Sequence, residues 1–84
     1  MKYTVVYSPF ADYQLADLWL RAANQQEVAD AANRLEMLLR HDPDQLGKHR
    51  PSGWRVLVFP PLIVTFDVSP DDRKVTVLSI RLTS

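Results

Sequence analysis

Residues 54–68 read WRVLVFPPLIVTFDV, and this stretch decides the fold class. The residues on either side of Pro60-Pro61 are mostly β-branched or aromatic, which favours β-strands. Because proline has no N–H to donate to a ladder, the diproline fits a corner between two strands and not the interior of one. We therefore predict a hairpin with strands at 54–59 and 62–68.

A third strand is predicted at about residues 74–80. The preceding Ser69-Pro70-Asp71-Asp72 consists of residues that favour turns, so the three strands should form an antiparallel meander. In an ideal strand, residues 75, 77, 79 and 81 would share one face and residues 76, 78, 80 and 82 the other. Both faces would then be partly apolar. We expect one face to cover helices and the other to be a groove or a surface for a partner.

The N-terminal half predicts a strand followed by two helices. Residues 3–7 (YTVVY) suit a strand, and Ser8-Pro9 suits the start of a helix whose apolar residues recur at 11, 15, 18 and 22. Asn24 and Glu27 have the spacing of a capping box, which predicts a new helix there. That helix should run to about His41, because Pro43 pushes the residue before it out of the helical region.

The second helix has two acid–base pairs at i,i+4 spacing on its polar side, Asp30 with Arg34 and Glu36 with Arg40. Helices joined by so short a break should pack as an antiparallel hairpin. The predicted fold class is therefore α+β. Its order is β-α-α-β-β-β, with an antiparallel sheet packed on an N-terminal helical hairpin, in one domain spanning residues 1–84.

Composition excludes several functional classes. The chain has 84 residues, 10 basic and 10 acidic, with a pI near 6.7, so it lacks the strongly basic balance of many RNA-binding proteins. It has no cysteine, which excludes disulfides and thiolate metal sites, and two glycines, which argue against a phosphate-binding loop. We expect no metal and no cofactor.

The sequence has no feature of a membrane protein or a secretory leader. The N-terminal segment lacks an apolar h-region and a cleavage site. The longest uncharged apolar stretch, residues 56–66, is too short to span a bilayer and contains the diproline. We expect a soluble, cytoplasmic protein.

Three motifs, in this order of elements, resemble the RelE/ParE superfamily of bacterial toxins. The first is YSPFA (7–11), where the opening strand enters a helix. The second is PDQLGKHR (43–50), which is similar to the Pro-x-x-Leu-Gly-x-x-Arg segment of that family. The third is the hairpin WRVLVF (54–59) and LIVTFDV (62–68), which looks like the family's arginine-led hairpin. The resemblance covers nearly the whole chain.

The resemblance implies a toxin of a type II toxin–antitoxin system, also called a plasmid stabilisation protein, that inhibits growth. RelE-like members cleave mRNA on the ribosome and ParE-like members poison DNA gyrase. Both are neutralised by an antitoxin whose C-terminal segment wraps around the toxin. In RelE-like nucleases the active surface is the open face of the sheet. By position, Arg55 and Arg81 would then be catalytic residues, and Lys48 and Arg50 would bind RNA or another target. His49 is a further catalytic candidate on its chemistry alone.

The chemistry of those residue types is consistent with RNA cleavage but incomplete. An arginine can stabilise phosphate charge at any relevant pH, and His49 is the one plausible acid or base in the basic segment. Unlike RelE-like enzymes, this chain has no tyrosine or histidine after Arg81, and its net charge is zero. Both departures favour a ParE-like or non-catalytic function. If the protein is an enzyme, it is a ribosome-dependent endoribonuclease.

Each candidate also has a purely structural interpretation. The segment of residues 48–50 suits a solvated loop, Arg55 suits an ion pair with Asp67, and Arg81 suits an exposed strand end. Trp19 and Trp54 suit core or interface positions better than a base-stacking platform. The alternative function is therefore a non-catalytic or degenerate protein-interaction domain on the same fold.

Overall fold

The structure is a computed structural model that describes residues 2–49 and 53–83. Two helices follow the first strand, and a short 3-10 helix (Pro43–Gln45) links them to the remaining strands. The elements are β1 (Thr4–Tyr7), α1 (Pro9–Arg21), α2 (Gln25–His41), β2 (Lys48–His49), β3 (Arg55–Phe59), β4 (Leu62–Ser69) and β5 (Lys74–Leu82). The predicted α+β class and the predicted order of elements are confirmed.

Both helices begin at the predicted caps. The Ser8 hydroxyl accepts a hydrogen bond from the Ala11 N–H at 3.1 Å, and Pro9 occupies the first helical position. The Asn24 side chain accepts a hydrogen bond from the Glu27 N–H at 3.0 Å. These bonds satisfy amide groups that have no partner inside the helix. Helix α2 ends at His41, directly before Asp42 and the buried Pro43.

The strands form one sheet in the order β1-β5-β4-β3-β2. Strands β3, β4 and β5 form the predicted antiparallel meander. The whole sheet is mixed and not purely antiparallel, because β1 pairs in parallel with β5. The helical connection carries the chain across to the far edge, and such a crossover allows parallel pairing. The two-residue strand β2, which pairs with the start of β3, was not predicted.

A β-bulge in β5 explains the imperfect alternation of its sequence. Thr65 of β4 pairs with Ser79, but the next residue, Phe66, pairs with Val77. Leu78 is therefore an extra residue, and the alternation changes phase at it. Val77, which is fully buried, lies before the bulge, and Ile80, which is almost fully buried, lies after it. The bulge thus places apolar residues from both predicted faces on one side of the sheet.

The core lies between that side of the sheet and the two helices. Phe66 is its largest fully buried side chain. The other buried apolar residues come from α1, α2, β4 and β5, namely Ala11, Leu18, Val28, Ala31, Leu35, Leu39, Leu62, Val64, Val75, Val77 and Ile80. No helix of the described residues has the length and apolarity needed to cross a membrane.

A side-chain network ties α2 to β1. The Tyr7 hydroxyl donates a hydrogen bond to Glu36 Oε1 at 3.4 Å, and Arg40 bonds Glu36 Oε2 at 3.1 Å, which confirms the predicted Glu36–Arg40 pair. The Tyr3 N–H also bonds the Arg40 carbonyl at 2.7 Å. Burial and the Glu36 charge raise the pKa of Tyr7 to about 12.

The predicted Asp30–Arg34 ion pair does not form within residues 2–49. Asp30 accepts a hydrogen bond from the Gln26 side chain at 2.9 Å instead. Both pairs use the same helical spacing, so spacing alone did not distinguish them.

The backbone conformation at Gly47 explains why the Leu46-Gly47 motif has a glycine. Its φ of 69° lies in the left-handed region, and a Cβ there would lie 2.6 Å from the Val56 carbonyl oxygen. Gly53 also has a positive φ, of 91°, but a Cβ there would have nothing within 4 Å. The chain must therefore pass close to β3 at residue 47.

Replacing Gly47 with alanine should destabilise the fold more than replacing Gly53 with alanine. Both variants force alanine into a left-handed conformation, which costs on the order of 1 kcal/mol, but only the first adds a clash with backbone. Urea unfolding of the two variants measures the difference. Equal losses of unfolding free energy would show that the approach to Val56 does not matter.

The raised pKa of Tyr7 predicts that the free energy of unfolding depends on pH in the alkaline range. The pKa of about 12 in the folded state exceeds the model-peptide value of 10.0, so the folded chain binds the phenolic proton more tightly. The contribution of Tyr7 is complete below pH 10 and is lost as the pH rises through about 12. Urea unfolding across that range should show a steeper loss of stability in the wild type than in Tyr7→Phe. Parallel losses would contradict the raised pKa.

Candidate functional site

One face of the sheet is free of the helices, and strand register identifies its residues. Side chains of paired residues lie on the same side of a sheet, and neighbours along a strand alternate. The partners of the buried Leu62, Val64 and Phe66 therefore face the helices. The residues between them, and their partners in β1 and β5, form the opposite side. We call it the open face, and its described residues are Thr4, Val6, Lys48, Val56, Val58, Ile63, Thr65, Asp67, Ser69, Lys74, Thr76, Ser79 and Arg81.

The bulge in β5 determines the position of Arg81. If β5 alternated regularly through Leu78, with no bulge there, Arg81 would be in phase with Val77, which is fully buried under the helices. With it, Arg81 pairs with Ile63 on the open face and is exposed to solvent. The sequence pattern suggested the opposite grouping, since it placed residues 77 and 81 together.

Lys48 lies on the same face at the far side of the sheet. It pairs with Val56, which pairs with Thr65, which in turn pairs with Ser79. This row runs across four strands from Lys48 to Ser79, and Arg81 lies two residues further along β5. Lys48 and Arg81 are therefore roughly 15 Å apart at ordinary strand spacing. Both are exposed, so either can reach a bound macromolecule.

The open face between those cations is apolar and hydroxyl-bearing. Val58 is 59% exposed and Ile63 is half-buried. Hydroxyl groups come from Thr65, Thr76 and Ser79, which sequence reasoning did not single out because only the register brings them together. Among the residues of this face that the structure describes, Asp67 is the one carboxylate, and none is a histidine, tyrosine or glutamate. The face is suited to binding an extended, partly anionic surface.

Arg55 lies on the other side of the sheet. It pairs with Phe66, which faces the helices, and its Nη1 donates a hydrogen bond to the Leu46 carbonyl at 3.4 Å. Asp67 is on the open face, so the predicted Arg55–Asp67 ion pair is wrong. The structure does not bring Arg55 and Arg81 together in one site, because the sheet lies between them.

The two remaining predicted site residues are His49 and Arg50, and the structure describes only the backbone of the first. The backbone of His49 pairs with that of Arg55 in the short strand β2. The side chain of His49 and the whole of Arg50 lie outside the described residues, so their roles stay predictions. Across residues 2–49 and 53–83, no three histidine, aspartate or glutamate side chains are grouped as a metal site.

A second surface lies on the helices. A groove of about 520 Å³ runs between α1 and α2 and is mostly apolar. Trp19 on its wall is 40% exposed and the neighbouring Leu20 is 70% exposed. Its lining residues are Asp12, Leu15, Ala16, Trp19, Leu20, Val28, Ala29, Ala32 and Asn33. The sequence pattern predicted a partner surface on the sheet and a core or interface position for Trp19, and in the structure Trp19 lines this groove.

The two arginines should therefore respond differently to replacement. Arg55→Met removes the bond to the Leu46 carbonyl and should lower the unfolding free energy by about 1 kcal/mol. Arg81→Met removes an exposed side chain and should change it by less than about 0.5 kcal/mol. Thermal or urea unfolding of both variants provides the measurement. A larger loss for Arg81→Met would contradict the assigned faces.

Comparisons with known proteins support the fold. No protein-family profile matches the sequence, and no curated protein matches it. Solved structures do match over nearly the full length. The RelBE2 toxin–antitoxin complex of Mycobacterium tuberculosis has a chain with a TM-score of 0.80 and 19% identity, covering 98% of this chain and 99% of that one.

The chromosomal ParDE toxin–antitoxin system of P. aeruginosa has a similar chain. Its TM-score is 0.75 at 14% identity, with 99% of this chain and 98% of that chain covered. At such low identity the agreement concerns the backbone, and it extends from the first strand to the last. This chain therefore has the same fold as these chains of the RelBE2 and ParDE toxin–antitoxin systems.

Proposed function

We propose that this protein is the toxin of a type II toxin–antitoxin system, acting on a cellular target through its open face and neutralised by an antitoxin. The observation that carries this proposal is the full-length agreement with chains from the RelBE2 and ParDE toxin–antitoxin systems. A basic and hydroxyl-bearing open face, left uncovered by the helices, supports it. Lys48 and Arg81 are the proposed target-binding residues on that face.

The composition of the open face favours target binding over RNA cleavage. Cleavage through a 2′-hydroxyl needs groups that accept and donate a proton near neutral pH. Among the described residues of this face, Lys48, Lys74 and Arg81 are cations, Asp67 on the central strand is a carboxylate, and the others are hydroxyls and apolar groups. We therefore place a gyrase-type, non-cleaving action first, and ribosome-dependent mRNA cleavage involving His49 second.

The antitoxin part of the proposal rests on exposed apolar surface. Helix α1 exposes Phe10, Tyr13, Trp19 and Leu20, whose exposed fractions range from 40% to 70%. Trp19 and Leu20 border the apolar groove between the helices, and exposed apolar surface of this kind often marks a protein interface. The groove between α1 and α2 gives such a partner a concave seat.

Controlled induction of this chain alone in a bacterial culture tests the function. We expect growth arrest, with labelled-methionine incorporation continuing at first and plasmid supercoiling declining. An immediate fall in incorporation would instead indicate the ribosome and promote the mRNA-cleaving alternative. Unimpaired growth with folded protein present would overturn the active toxin and favour a non-catalytic interaction domain.

Substitutions can distinguish a loss of target binding at the open face from a loss of folding. Arg81→Ala combined with Lys48→Ala should reduce growth inhibition at least tenfold, measured as surviving colonies, because it removes two charge-assisted contacts. Circular dichroism should show an unchanged fold, since both residues are exposed. Arg55→Met is the matched control, because it also removes one arginine charge but from the helix side of the sheet. If Arg55→Met abolished inhibition while the double variant retained it, the open face would not be the site.

A further inference from the structure

The side of α2 that is turned away from α1 carries charges of both signs. Glu27 and Asp30 lie in the N-terminal half of the helix, Arg34 lies beyond its middle, and all three are exposed. Residues three or four apart share one side of a helix, so these charges form a single row. The exposed Met37 and Leu38 continue the row toward the end of the helix. We call these five residues the α2 stripe.

The charges of the α2 stripe have no ion pair within residues 2–49 and 53–83. The ion pairs described there involve other residues of the two helices. Asp30 accepts its hydrogen bond from the neutral side chain of Gln26, although Arg34 stands only one helical turn away. Opposite charges on one exposed surface are therefore available to a binding partner.

Two hollows flank the stripe where α2 meets the corner between β3 and β4. One, of about 350 Å³, lies beside the acidic half, and its walls include Glu27 and the diproline. The other, of about 360 Å³, lies beside the apolar end and is bordered by Met37, Leu38 and Phe59. The stripe thus combines a concave acidic half with an exposed apolar end.

The α2 stripe is complementary to itself when a second copy lies antiparallel to the first. With a two-fold axis midway between Asp30 and Arg34, Asp30 of each copy meets the partner's Arg34. Met37 lies as far beyond Arg34 as Glu27 lies before Asp30. The partner's Met37 therefore comes beside Glu27, at the hollow that the diproline borders. Methionine suits such a position, because its unbranched side chain fills irregular gaps.

We propose that this chain associates with a second copy of itself through the α2 stripe, as a two-fold dimer with two Asp30–Arg34 ion pairs. In such a dimer the same patch of both copies forms the contact. Covering Met37 and Leu38 supplies affinity, and the ion pairs set the antiparallel register. The stripe lies apart from the open face and from the groove between α1 and α2. The inference therefore stands independently of the proposed function.

Sedimentation equilibrium of the full chain tests for the dimer. One pair of helices is a small interface, so we expect reversible association with a dissociation constant on the order of 10–100 µM. The measurement should therefore extend from about 10 µM to about 500 µM protein. A monomer throughout that range would overturn the proposal.

Charge reversals test whether the α2 stripe forms the contact. Asp30→Arg places two arginines at each of the two symmetric contacts, and Arg34→Asp places two carboxylates there. Each variant alone should dimerise about tenfold more weakly than the wild type, or less well still, because like charges repel. An equimolar mixture of the two variants should recover the wild-type affinity, since each contact then joins an arginine to a carboxylate.

Asp71→Arg is the matched control for these variants. It makes the same change of charge as Asp30→Arg, but in the exposed turn between β4 and β5. It should dimerise within about threefold of the wild type. Dimerisation that Asp30→Arg leaves unchanged, or a mixture that associates no better than the single variants, would exclude the α2 stripe as the contact and overturn the proposal.

Met37→Ala keeps the proposal falsifiable should a charge reversal disturb the fold. Met37 is exposed in the single chain, and alanine favours a helix more than methionine does, so circular dichroism should show an unchanged fold. The dimer should weaken about tenfold, because the side chain that enters the hollow is lost. Dimerisation of Met37→Ala as tight as that of the wild type would contradict the proposed contact.

Discussion

The pairing of β5 with β4 on one side and β1 on the other is the constraint on which the rest of this structure depends. Residues far apart in sequence meet there, because β1 is the first of the described strands and β5 the last. The parallel pairing fixes where α1 begins, since Ser8 both caps the helix and bonds Val77 and Leu78 of β5. The core then forms where the helices cover the buried valines of β5.

A single extra residue in β5 divides the sheet into two chemically different faces. The bulge at Leu78 brings Ile80 into phase with Val77 on the helix side and turns Arg81 to the open face. Bulges commonly redirect a side chain next to a functional surface. Here the effect is to separate Arg81, which is exposed, from Arg55, which bonds the Leu46 carbonyl on the helix side. Arginines that look equivalent in sequence therefore have different environments.

The molecule has two exposed surfaces of different chemistry beside α1. The groove between α1 and α2 is mostly apolar. Covering its exposed Trp19 and Leu20 removes apolar surface from water, which lowers the free energy. The edge of β5 is polar, and its backbone groups need hydrogen-bond partners. Helix α1 borders both, since Trp19 lies on one of its sides and Gln14 on another.

The sequence by itself determined the elements of this protein and their order. Caps at Ser8 and Asn24, the stop at Pro43 and the diproline corner are local signals, because each acts through the backbone of its immediate neighbours. The RelE/ParE resemblance also followed from that order. Only the tertiary structure decided the parallel pairing of β1, the bulge at Leu78, and therefore which side of the sheet each arginine occupies. Those features depend on the register between strands far apart in the chain, and a one-residue shift in register moves every side chain to the opposite face.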